Sequence, residues 1–167
     1  MDGRKKNALR EHYIAPYTET TPTETTYLRL AKWITSISDS SDEEVDDVGY
    51  YDGDGTAETE VMAIKGAYDF EGTFDPTDPA QKLIAGMKYK IGQDRKCWHK
   101  IVSADGTETL EGVATVTDIV AGSGEATENE EFSCTITYNQ IPTVSGGGGS
   151  APMALSGLTI DTKTGKK

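Results

Sequence analysis

The chain has 167 residues, a formal net charge of −12 and a hydrophobic share of 35%. That length suits one domain plus tails. The acidic balance argues against holding nucleic-acid phosphates or an anionic membrane surface through clustered Lys and Arg. Eighteen glycines and abundant threonine suit a β-rich fold with many turns rather than a helical bundle. No window approaches the ~20 apolar residues of a membrane span. Met1 to Arg10 is basic but lacks an apolar core behind it, so it does not read as a signal peptide, and the chain reads as cytosolic where it is made.

In chain order, residues 1–26 begin basic (Arg4, Lys5, Lys6, Arg10) and continue Thr-rich, with Pro16 and Pro22. Apolar periodicity is nearly absent, which predicts an extended arm outside the core. It is either disordered in the free protein or ordered against a neighbouring subunit. Tyr27 to Ile37 predicts the first strand, with Leu28, Leu30, Trp33, Ile34 and Ile37 as apolar bulk. Residues 39–60 hold ten carboxylates and no Lys or Arg. Such a run repels itself, which predicts a solvated tip between the arms of a long hairpin.

From Met62 to Asp75 the alternation has period two. Met62, Ile64, Tyr68, Phe70 and Phe74 fall on one face, predicted buried, with Gly66 and Gly72 among them. Lys65, Asp69, Glu71, Thr73 and Asp75 fall on the wet face. The two glycines predict close approach of another backbone, or a bulge. Asp78 then fits an N-cap and Pro79 the first helical position. A short helix is predicted over about 79–88, its stripe formed by Leu83, Ile84 and Met87. Tyr50 to Met87 thus reads as one unit of loop, strand and helix.

Arg95–Ser103 and Leu110–Val120 predict a hairpin through the Asp105-Gly106 turn. After an acidic loop, Phe132 to Tyr138 alternates as another half-buried strand. Ser145 to Ser150 reads as a flexible linker, Leu155 to Thr162 as a short strand, and Lys163 to Lys167 as a basic end. The predicted organisation is an arm (1–26), a β domain (27–144), and a Gly-rich linker with a tail (145–167).

Little of this composes a reactive site. Asp52-Gly53-Asp54-Gly55 resembles a calcium loop. Counted from Asp52, however, positions 5 and 6 are Thr56 and Ala57, where the EF-hand pattern needs an oxygen ligand and Gly. A solvated turn is therefore expected and no structural metal. Cys97 and Cys134 lie in separate strand-like runs and read as buried free thiols, with a disulfide as the alternative. His12 and His99 are the only histidines. His99 reads as a satisfied strand residue, and no nucleophile pattern accompanies either ring. Neither an enzyme nor a cofactor is expected.

Several runs together resemble the tail tube (major tail) proteins of long-tailed phages. They are Tyr50-Tyr51-Asp52-Gly53-Asp54-Gly55, Tyr68-Asp69-Phe70-Glu71-Gly72, Asp75-Pro76-Thr77-Asp78-Pro79-Ala80-Gln81, Arg95-Lys96-Cys97-Trp98, and Asn129 to Tyr138. The resemblance covers about Tyr27 to Pro142. It implies a mainly β, sandwich or barrel-like tail tube fold with one short flanking helix. It also implies hexameric rings stacked into a tube, a conduit for DNA ejection, assembled in the host cytoplasm and present in the virion tail. The partners it implies are other copies of the chain, a tape-measure protein, tail terminator and baseplate or tip proteins, and double-stranded DNA that passes without specific binding. Six copies of a −12 chain carry −72 per ring, a charge that repels phosphates.

Within that resemblance, Asp69, Glu71 and Thr73 are expected to face the lumen. Arg4, Lys5, Lys6 and Arg10 are expected to meet Asp42, Glu43, Glu44, Asp46, Asp47, Asp52 and Asp54 between subunits or rings. Opposite charge would then help set the register. The competing expectations are an Ig-like decoration or adhesion domain, monomeric or trimeric, and a calcium-binding β-module.

Overall fold

The computed structural model describes residues 3–146. In chain order the strands are β1 (Glu11–Pro16), β2 (Leu28–Arg29), β3 (Ile34–Asp39), β4 (Asp42–Val48), β5 (Glu58–Lys65), β6 (Ala67–Thr73), β7 (Lys96–Val102), β8 (Glu108–Ala121), β9 (Glu131–Tyr138) and β10 (Thr143–Gly146). One α-helix, α1 (Pro79–Ala85), stands between β6 and β7. Eight strands form one antiparallel sheet in the order β2-β1-β7-β8-β9-β6-β3, with β10 also paired to β8, while β4 and β5 pair only with each other.

The sheet curls on itself, so that strands three places apart touch across the interior. The ring of His99 on β7 lies 5.9 Å from Tyr68 and 6.0 Å from Phe70, both on β6. The long strand β8 makes the curl possible. Its first half pairs with β7 and its second half with β9, and the register shifts between Thr117 and Val120. Asp118 takes φ 51° there. A bulge of this kind bends a strand and increases its twist.

The expected mainly-β fold with one short helix is the fold observed, realised as a half-barrel. α1 closes one opening of it. Asp78 caps the helix by accepting from the Gln81 amide at 3.0 Å. The fully buried Gln81 side chain then donates to Lys32 and Thr73 carbonyls and accepts from the Asp75 amide. α1 ends at Ala85, before the expected residue 88, because Gly86 follows as its C-cap, yet Met87 still buries its side chain. Ile84 and Met87 join Ile14, Leu30, Cys97, Ile119 and Phe132 in the core.

Four expectations are corrected. Residues 11–16, placed in the arm, form β1 inside the sheet, with Ile14 and Ala15 fully buried. Sequence periodicity missed this strand because His12, Tyr13 and Ala15 disguise its apolar side. The Thr-rich stretch after it also returns to the sheet. Glu24 pairs with Lys100 at 2.6 Å, and Trp98 Nε1 donates to the Thr18 carbonyl at 2.9 Å. Tyr27 to Ile37 is two strands rather than one, interrupted at Trp33, whose φ is 60°.

The run from Met62 to Asp75 likewise breaks at Gly66, and Met62 and Ile64 are exposed rather than buried. Finally, the acidic stretch is a paired ribbon rather than only a solvated tip. Gly72 behaves as expected of a close approach: a Cβ there would overlap the Trp33 carbonyl oxygen. Ser145 and Gly146 of the expected linker lie in β10. Its remainder, the predicted strand at Leu155 to Thr162 and the basic end lie outside the described residues.

Candidate functional site

β4 and β5 continue the β3–β6 hairpin outward as a separate two-stranded ribbon. Asp39 pairs with Tyr68 at the top of the body, and Asp42 pairs with Lys65 at the foot of the ribbon. Ser41 sits at the junction, where its hydroxyl accepts from the Ala67 amide at 3.1 Å. The Asp39 carboxyl is held below its usual range by hydrogen bonding from Ser41 and, secondarily, by Arg10. Asp52 and Asp54 lie in the exposed turn at the ribbon's far end, where Asp54 Oδ1 accepts from the Thr56 amide at 2.8 Å. Among the described residues no group of three His, Cys, Asp or Glu side chains converges to hold a metal ion.

Cross-strand partners share a face of a sheet, so the register divides the ribbon into two surfaces. Glu43/Ile64, Val45/Val61 and Asp47/Thr59 lie on one face, with Met62 the extra residue of a bulge. Val45, Val61, Met62 and Ile64 are each more than half exposed. Asp42/Lys65, Glu44/Ala63, Asp46/Glu60 and Val48/Glu58 lie on the other face. Asp46 opposite Glu60 is a like-charge pair, which destabilises a ladder. An isolated two-stranded ribbon is marginal in water. This one carries an apolar stripe and a run of carboxylates, both exposed to solvent.

Asp69, Glu71 and Thr73 project from the outer face of β6. Their cross-strand neighbours are Ser36 and Ser38 on β3 and Ser133 and Thr135 on β9, and Thr135 donates to Asp69 at 2.6 Å. Thr115 and Thr117 of β8 extend the same surface. The four adjacent strands β8, β9, β6 and β3 contain no Lys or Arg at all. The cations of the sheet stand on the other side of β8: Lys96 and Lys100 on β7 and Arg29 on β2.

The arm cations lie at the ribbon end of the body. Lys5 is ion-paired with Asp105 at 2.6 Å, beside the β7–β8 turn. Arg10 lines a groove with His12, Ile34 and Ile37, and its charge is felt at Asp39. Arg4 and Lys6 are exposed.

His12 and His99 touch each other in the core, Nδ1 to Nε2 at 3.3 Å, ringed by Tyr68, Phe70 and Tyr138. Burial pushes the His12 pKa down to about 4, with Arg10 adding to the shift, and burial lowers His99 well below its ordinary range. His99 Nδ1 has no hydrogen-bond partner among the described residues, contrary to the satisfied ring expected. Among the described residues no serine or cysteine side chain is hydrogen-bonded to either ring. Cys97 and Cys134 are free, buried thiols, each with its pKa raised by burial.

No protein-family model and no curated protein sequence matches the chain. Solved structures do. A chain of the tail of an empty gene transfer agent particle, computed with helical refinement and C6 symmetry, superposes with a TM-score of 0.64 at 11% identity. It covers 85% of this chain and 99% of its own. A chain from the virion of the native gene transfer agent particle gives a TM-score of 0.59 at the same identity and coverage. The half-barrel with its short helix is therefore a fold used in the tail of a virus-like particle, and it spans nearly all of that subunit.

Proposed function

We propose that the chain is a tail tube protein, a structural component of a virion tail that polymerises as stacked hexameric rings and forms the conduit for DNA ejection. The fold shared with a C6-symmetric particle tail supports this reading. The observation that carries it is the cation-free sheet face. Four consecutive strands present Ser, Thr, Asp and Glu and no positive charge. DNA is held chiefly through Lys and Arg at its phosphates, so a channel lined by β8, β9, β6 and β3 lets the duplex slide. Asp69, Glu71 and Thr73 face the lumen in this arrangement. Their hydroxyl and carboxylate neighbours keep it wet.

The edge strand β3 and the ribbon supply contacts between copies. An exposed strand edge is a template for pairing, and within a ring it becomes a joint. The ribbon acids Asp42, Glu43, Glu44, Asp46 and Asp47, with Asp52 and Asp54 at its turn, reach a neighbouring copy. A tape-measure protein occupies the lumen before DNA does, and terminator and baseplate proteins cap the two ends.

Negative-stain microscopy of the purified protein tests the reading. Hollow tubes, or rings whose end-on averages have six-fold symmetry, are expected. A protein that stays a monomer or trimer at every concentration sinks it. A Thr135→Lys/Thr137→Lys variant in the phage should still build tubes but eject DNA more slowly.

A further inference from the structure

We infer that the ribbon of one copy docks on the helix end of the next, on the basic surface formed by α1 and the turn that follows it. The inference rests on the tube reading above and names the acceptor that the ribbon requires.

Charge is the first argument. Residues 39–60 carry ten carboxylates and no cation, whereas residues 82–96 carry five cations, Lys82, Lys88, Lys90, Arg95 and Lys96, against the single carboxylate of Asp94. None of the five is held in an ion pair among the described residues, whereas Lys5, Arg29, Lys32 and Lys100 are. Arg95 instead donates to the carbonyls of Lys88, Lys90 and Val116, which fixes the turn and leaves the surface positive.

Apolar surface is the second argument. Tyr89 and Ile91 are 92% and 86% exposed, in the middle of those cations. Beside them an open groove of about 410 Å³ has Leu83 and Met87 in its floor and Lys82, Lys90 and Lys96 on its rim. The ribbon offers the complement: Val45, Val61 and Ile64 on one face, flanked by Glu43 and Asp47.

Polarity of the fold is the third. β6 leaves the ribbon at Ala67 and runs to α1 at its other end, where Gln81 donates to the Thr73 carbonyl. Seven residues of strand separate donor from acceptor, about 23 Å. Donor and acceptor at opposite ends make a head-to-tail contact, which propagates into an open stack rather than closing as a dimer. In a stack of like-oriented copies the basic arm faces the same way as the ribbon. Lys5 and Arg10 lie at the ribbon's own end, beside Asp105 and Asp39.

The test is charge reversal on each side and on both. A Lys82→Glu/Lys88→Glu/Lys90→Glu variant and a Glu43→Lys/Asp46→Lys/Asp47→Lys variant are each expected to lose tubes by microscopy and sedimentation, with unchanged circular dichroism and melting temperature. Combining the six changes in one chain restores opposite charge at the contact, and at least a tenfold recovery of tube mass over either triple variant is expected. Normal tubes from the Lys82→Glu/Lys88→Glu/Lys90→Glu variant overturn the inference, and so does a combined variant no better than its parents. If the ribbon variant alone fails, the tube reading stands and the acceptor lies elsewhere. If the unaltered protein forms no tubes, the tube reading falls and this inference falls with it.

Discussion

The β3–β6 pair and the β4–β5 ribbon are two parts of one continuous hairpin, with the same alternation, and they meet opposite fates. In the body, Phe70 is fully buried and Tyr68 half-buried against the histidine pair, and β9 covers the inner edge of β6. In the ribbon, Met62 and Ile64 continue that alternation and, with Val61 at the bulge, stay exposed, because none of the described elements lies over them. Amphipathic alternation therefore specifies that a strand has an apolar side, and leaves open whether that side is covered within the chain or by another copy. The difference separates the residues that hold the fold from those available for assembly.

That separation predicts where each kind of substitution is felt. The largest effect belongs to the body: Phe70→Ala should cost about 3–5 kcal/mol in urea denaturation, the range for an aromatic removed from a core. Acidification comes next. The buried histidines bind protons in the unfolded chain near pH 6.5, but His12 in the folded chain binds one only near pH 4. Stability is thus intact above pH 6.5 and falls as pH drops toward 4, by about 3 kcal/mol for His12. A His12→Phe variant should flatten the melting-temperature profile in that window, and an unchanged slope would remove His12 as its cause.

Gly72→Ala forces the Trp33 carbonyl to move, a steric cost of about 1–3 kcal/mol that a shift in the urea midpoint would register. Asp78→Ala removes the helix cap for about 1 kcal/mol, read the same way. The smallest monomer effect belongs to the ribbon. Val61→Ser should change unfolding by less than about 0.5 kcal/mol while shortening tubes severely. A large loss of monomer stability from that change would erase the distinction between the two regions.

Much of this chain was legible before folding. The Asp105-Gly106 hairpin, the Asp78-Pro79 helix start and the alternating β9 are local signals, set by backbone preferences and hydrogen bonds a few residues long. The acidic run is equally plain as composition. Tertiary structure alone decided what covers what. β1 lies in the core although its sequence is weakly apolar, because β2 and β7 flank it and the curl places His12 and Ile14 inside. Met62 and Ile64 lie in solvent although their sequence is apolar, because none of the described elements lies over them. Burial depends on contacts between residues far apart in sequence, and no period of two or 3.6 residues encodes those contacts.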